Sequence, residues 1–141
     1  MEAPDAKVVL VDDDGRVETL WAFSLGGDRY RLDNSPWYAY GVSMGDVVEA
    51  PAGEDGRPTF AKVLEKSGFR TLRIAPEPEA SDELLKGLRA LRCDFEGANR
   101  RYLTLSIPAD VQLQGIIDLL NERGVNWEYA DPTYESVQAG A

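Results

Sequence analysis

Asp33 and Asp46 bracket three aromatic residues, Trp37, Tyr38 and Tyr40, within "DNSPWYAYGVSMGDVVEA". Two carboxylates perform hydrolytic chemistry when a cleft holds them ~5 to 9.5 Å apart, one as the acid and the other as base or nucleophile. The same residue types also bond local backbone in turns. Asp33–Asn34–Ser35–Pro36 has turn composition, and Asp46 follows Gly45 at the close of another turn. With 25 acidic residues in the chain, a pair of acids discriminates little by itself. The rings say more. Aromatic side chains on a loop of a rigid scaffold make binding surfaces, yet a small sheet also needs large plugs for its core. Trp37, Tyr38, Tyr40, Asp33 and Asp46 are therefore the candidate binding residues. Tyr40 and Val42 are expected to point inward, with Trp37 and Tyr38 partly exposed where the two halves of the chain meet.

Other chemistries are constrained by what the chain contains. There is no histidine, which removes Ser–His–Asp and Cys–His nucleophilic arrangements and the usual zinc and iron ligand sets. The turn Asp12–Asp13–Asp14–Gly15 lacks the alternating ligand spacing of an EF-hand loop and reads as a solvated hairpin turn. Cys93 is the single cysteine, close in sequence to Arg89 and Arg92, which would lower its pKa. Without an imidazole base it is read as a small buried apolar residue. No phosphate-binding loop is present, and Gly26–Gly27–Asp28 lacks the spacing of one. No catalytic residue, cofactor or metal is assigned.

The elements that must position these residues divide into two halves. In residues 1–69, short runs such as "KVVLV", "ETLWAFSL", "RYRLDN" and "DVVEA" alternate with Gly- and Asp-rich turns. That spacing argues for a small, strongly bent β-sheet or partial barrel. In residues 70–132 the period changes. Ser81 is a good N-cap for "DELLKGLRAL", whose Leu84, Leu85, Leu88 and Leu91 form one stripe. "RCDFEGANR" and "RYLTLSIP" read as strands joined at Gly97–Ala98–Asn99. Leu113, Ile116, Ile117 and Leu120 form the buried face of a second helix stopped by Gly124. The resulting strand–helix–strand–strand–helix–strand order is that of a ferredoxin-like half. The fold class expected is α+β, with the N-terminal sheet packed against this βαββαβ half and a fraying tail at 133–141.

Four of these stretches resemble a bacterial family catalogued as domain of unknown function 4265. They are Leu20 to Ala22, Arg29 to Asn34, Tyr38 to Val48 and Ser67 to Thr71, and the similarity extends from about Val17 to Pro132. The resemblance implies fold and membership; no activity comes with it.

The net charge of −10 opposes attraction to phosphate backbones and anionic membranes and favours a basic protein partner. No apolar run reaches the ~18–20 residues of a membrane span, and "MEAPDAKVVL" lacks the basic-then-apolar pattern of a secretory signal. A cytoplasmic location is expected. The reading that follows is a non-catalytic binding or regulatory protein, an immunity protein or inhibitor of a basic partner. A small enzyme using carboxylates is one alternative. An RNA-binding regulator is the other, drawing on Lys62, Lys66, Arg70 and Arg73, again on Arg100 and Arg101, and on nearby Phe69 and Tyr102.

Overall fold

A computed structural model describes residues 3–140. The architecture is α+β, with two antiparallel sheets and three helices. The chain divides into two compact units, 1–69 and 70–141.

The first unit is a five-stranded meander: β1 (Ala6–Val11), β2 (Val17–Ser24), β3 (Arg29–Leu32), β4 (Val47–Glu49) and β5 (Lys62–Glu65), neighbours in that order. Alternation sends Leu20 and Ala22 of β2 inward with Val8 and Leu10 of β1, Leu32 of β3 and Val48 of β4. The sheet is not a closed barrel. Its edge strands β1 and β5 do not pair. Instead β1 exchanges two backbone hydrogen bonds with the segment ahead of β5, Val9 N to Pro58 O and Phe60 N to Val9 O, both 2.8 Å. Pro58 has no N–H to extend a ladder, so the contact stays a single bridge at Val9 and Thr59.

The second unit runs β6 (Arg70–Ala75), α1 (Asp82–Ala90), β7 (Asp94–Asn99), β8 (Tyr102–Ile107), α2 (Leu113–Glu122), β9 (Asn126–Asp131) and α3 (Tyr134–Gly140). Its sheet has the order β7-β8-β6-β9. Leu72, Ile74, Leu103, Leu105 and Ile107 of the sheet join Leu84, Leu88, Ile116 and Leu120 of the helices in one buried cluster. Ser81 caps α1 by accepting from Leu84 N at 3.1 Å. Asp82 and Glu83 then sit where the helix dipole favours negative charge. Gly124 has φ +66° and ends α2 in the left-handed region.

Several local expectations change. Leu91 is 39% exposed, because α1 stops at Ala90 and the chain turns through Arg92 at φ 62° before Cys93 goes inward. The β7–β8 turn falls at Arg100–Arg101 rather than at Gly97–Asn99, with Asn99 Oδ1 accepting from Arg101 N at 2.8 Å. Residues 97 and 98 form a bulge instead. A Cβ on Gly97 would lie 2.6 Å from the Tyr102 carbonyl oxygen, a backbone atom that cannot swing aside, so the bulge needs glycine. The tail expected to fray forms α3, whose first turn is capped by Thr133 Oγ1 accepting from Ser136 N at 3.1 Å.

Among the described residues, no helix is long and apolar enough to cross a membrane. Because Leu88 is fully buried and Leu91 is exposed, Leu88→Ala is expected to cost about 2–5 kcal/mol and Leu91→Ala under about 1 kcal/mol in urea unfolding.

Candidate functional site

The aromatic segment lies in an irregular loop between β3 and β4, and its shape is dictated by a residue far away in sequence. Glu18 sits at the start of β2, on the same side of the strand as Leu20 and Ala22, and is half-buried. Its carboxylate accepts from three successive backbone amides: Trp37 N at 2.6 Å, Tyr38 N at 2.9 Å and Ala39 N at 3.0 Å. Consecutive N–H groups turned to one side form an anion-binding concavity, and here β2 supplies the anion. Residue spacing gives no hint of this. A glutamate beginning a strand looks like any solvated acid until the chain folds back over it.

Asp46 closes the other end of the loop. It is fully buried; Oδ2 accepts from Ser43 N at 2.9 Å and Lys66 Nζ at 2.7 Å, and Oδ1 accepts from Ser67 N at 2.8 Å. Lys66 Nζ also reaches Gly41 O at 3.1 Å, and Ser67 Oγ donates to Met44 O at 2.7 Å. Gly45 (φ +84°) is pressed so closely against this junction that a Cβ there would lie 2.9 Å from Ser67 Cβ. Asp46 thus fastens the loop to the exit of β5, and an enclosed carboxylate is shut off from a substrate. Asp33 is half-buried and extends the β2–β3 pairing through its backbone, Asp33 N to Trp21 O at 2.8 Å. Asn34 Oδ1 next to it takes Trp21 N at 2.9 Å, as a turn residue does.

One ring departs from the expectation. Val42 is buried and Trp37 and Tyr38 are half-buried, but Tyr40, expected to point inward, is 51% exposed. With the amides of residues 37–39 tied inward to Glu18, Tyr40 emerges. Gly41 (φ +78°) then reverses the chain so that Val42 enters the core.

The Asp12–Gly15 hairpin turn stands next to the loop. Asp12 accepts from Asp14 N (2.9 Å) and Arg16 N (2.8 Å) through Oδ1 and from Arg16 Nε (2.7 Å) through Oδ2. Burial works to raise the Asp12 pKa. The Arg16 amide and guanidinium outweigh it and hold the carboxyl below its usual range. Arg16 also reaches Asp14 at 3.4 Å, and its guanidinium lies over the Tyr38 ring at 4.8 Å. Between hairpin and loop is a cleft of about 190 Å³ with Leu10, Val42 and Phe60 among its apolar lining, and with Val11, Tyr40 and Asp13 beside them. Among the described residues no cluster of acids or cysteine could hold a metal ion.

In the second unit, Cys93 is buried, and desolvation, with Asp94 beside it, pushes its thiol up to about 12. Such a thiol is inert. A groove of about 200 Å³ includes Arg73, Tyr102, Asn126 and Glu128, with Arg73 Nη1 3.8 Å from Glu128 Oε1.

Two outcomes follow from these clamps. Glu18→Ala strips three half-buried amides of their acceptor, so hydrogen exchange at residues 37–39 is expected to accelerate, with a stability loss of about 1–3 kcal/mol. Asp12, with its folded-state pKa lowered, contributes stability that is complete above its unfolded value of ~3.9 and is lost as pH falls through the folded value. An NMR acid titration should therefore find Asp12 protonating below the ordinary aspartate range, and Arg16→Ala should bring it back up.

Comparison with known proteins bears on family and fold. No curated protein matches the chain. A hypothetical protein from Neisseria gonorrhoeae, described as a novel crystal structure, superposes with a TM-score of 0.78. It is 17% identical, and the match covers 92% of this chain and 96% of that one, so the likeness speaks to fold alone. A family model described as domain of unknown function (DUF4265) matches residues 18–129, beginning at Glu18 and ending at Tyr129. With well over half of its length inside that match, the chain belongs to the DUF4265 family.

Proposed function

We propose that the chain is a non-catalytic binding protein, of the immunity or inhibitor type, whose partner is basic and whose working surface is the loop carrying Trp37, Tyr38 and Tyr40. The observation that carries this reading is the Glu18 clamp. Three amides drawn to one carboxylate fix the course of an irregular loop, and Tyr40 is left 51% exposed on it. A pre-organised loop loses little conformational freedom on binding, a loss that otherwise subtracts from affinity. Exposed tyrosine is among the residues that most often anchor interfaces. The net charge of −10 would speed encounter with a cationic surface.

The second unit is read as a ferredoxin-like scaffold. Its βαββαβ order supports this, as does a sheet with β6 and β8 in the middle and β7 and β9 at the edges. The basic residues that would support RNA binding are largely engaged internally. Lys62 lies 3.6 Å from Glu49, Lys66 holds Asp46, and Arg70 donates to the carbonyls of Pro108 and Val111. Arg100 is 2.6 Å from Asp82. Cations neutralised in this way add little positive field for a phosphate backbone.

The test is capture from a lysate of the source organism on immobilised protein, run with the native chain and with Tyr40→Ala. A basic protein retained by the native chain, released by salt and bound about tenfold or more weakly by the variant is the expected result. Retention indifferent to both salt and Tyr40 would overturn the reading, as would turnover of a small molecule by the purified chain.

A further inference from the structure

The cleft beside Tyr40 has a definite chemical preference. We infer that it receives one aliphatic-stemmed cation, the side chain of a lysine or arginine presented by the partner. The inference rests on the reading of the chain as a binding protein for a basic partner and names the group that enters it.

Three features converge on this occupant. The first is size. At about 190 Å³ the cleft is smaller than the ~300–1,000 Å³ of typical small-molecule pockets and suits a single side chain. The second is the lining. Leu10 and Val42 are buried and form only its floor, while exposed Val11 and half-buried Ala39 and Phe60 offer an apolar bed for methylene groups. The third is charge. Of the turn's three aspartates, Asp12 and Asp14 are engaged by Arg16 at 2.7 and 3.4 Å. Asp13 lines the cleft, is exposed, and has no hydrogen-bond or ion-pair partner among the described residues. An apolar bed with one uncommitted carboxylate beside it matches a long alkyl stem ending in a positive head.

The protein already contains an internal version of the same arrangement. Arg16 lies over Tyr38 with its guanidinium 4.8 Å from the ring centroid while bonding the Asp12 carboxylate. Cation, ring and carboxylate meet there within one chain. Tyr40 and Asp13 likewise place a ring and a carboxylate on one cleft.

Because the binding group is identified while the partner is not, the full chain is titrated with the N-acetyl amides of lysine, arginine and norleucine, the last being a lysine stem without its charge. The readout is the NMR shift of Val42 and Phe60 side chains and the Ala39 and Tyr40 amides. The lysine and arginine probes are expected to shift these signals, with norleucine about threefold weaker or more, as for an exposed charge pair. Asp13→Asn, an exposed change in a turn, should reduce lysine to the level of norleucine. Tyr40→Ala should weaken all three probes.

Norleucine binding as well as lysine does, an unchanged preference in Asp13→Asn, or no movement of these signals at the highest probe concentration would each overturn the inference. The broader reading fails separately. A basic protein captured through Tyr40 while no probe enters the cleft removes only the inference. Probes that bind while no basic protein is retained leave the cleft's preference intact and remove the proposed role.

Discussion

The meeting of the Glu18 carboxylate with the amides of Trp37, Tyr38 and Ala39 is the contact on which the shape of the candidate surface depends. An irregular loop pairs little of its backbone with itself, and half-buried N–H groups left without an acceptor are costly. A neutral carbonyl oxygen, with two lone pairs, could not serve all three. A carboxylate can serve three, with charge-assisted bonds of roughly twice the ordinary strength. The direction of Tyr40, the entry of Val42 into the core and the existence of a cleft beside the hairpin all follow from where those amides are held.

The same solution recurs through the first unit. Asp46 gathers the amides of Ser43 and Ser67, and Asp12 those of Asp14 and Arg16. Asp55 takes the Arg57 amide and guanidinium, and Asp5 takes the amide of Ser24. A five-stranded meander with short strands has proportionally many turns, and acids fasten them. Part of the chain's negative charge is therefore internal fastening rather than a displayed field. Asp13 differs from these residues in having no such duty while standing on the cleft beside Tyr40.

The second unit reaches order by the opposite means. Its helices lay leucine and isoleucine faces onto Leu72, Ile74, Leu103, Leu105 and Ile107, and apolar burial supplies the driving force. Trp127 and Tyr129 pack edge to face at 5.0 Å on the margin of that core, and the Trp127 indole donates to Asn121 Oδ1 at 2.9 Å. Cys93 belongs to the same apolar environment, which explains its suppressed ionisation better than any neighbouring charge does.

Periodicity by itself determined the elements. The leucine stripe after Ser81, the isoleucines before Gly124 and the alternation in "RYRL" are local patterns, set by 3.6 and 2 residues per repeat, and they appear in the structure where the chain places them. Local pattern was insufficient wherever a single backbone decision intervened. Leu91 left its stripe because the helix ended one residue earlier, and the β7–β8 turn moved because a bulge at Gly97 absorbed two residues. The candidate surface lay further still from the sequence. Trp37, Tyr38 and Tyr40 were visible as rings, but Glu18 and Lys66 lie some twenty residues away on either side, and only chain reversal brings them to the loop. Hydrogen bonds between residues distant along the chain leave no periodic trace, so tertiary structure alone decided that Asp46 is a brace, that Tyr40 faces water and that Asp13 stands beside a cleft.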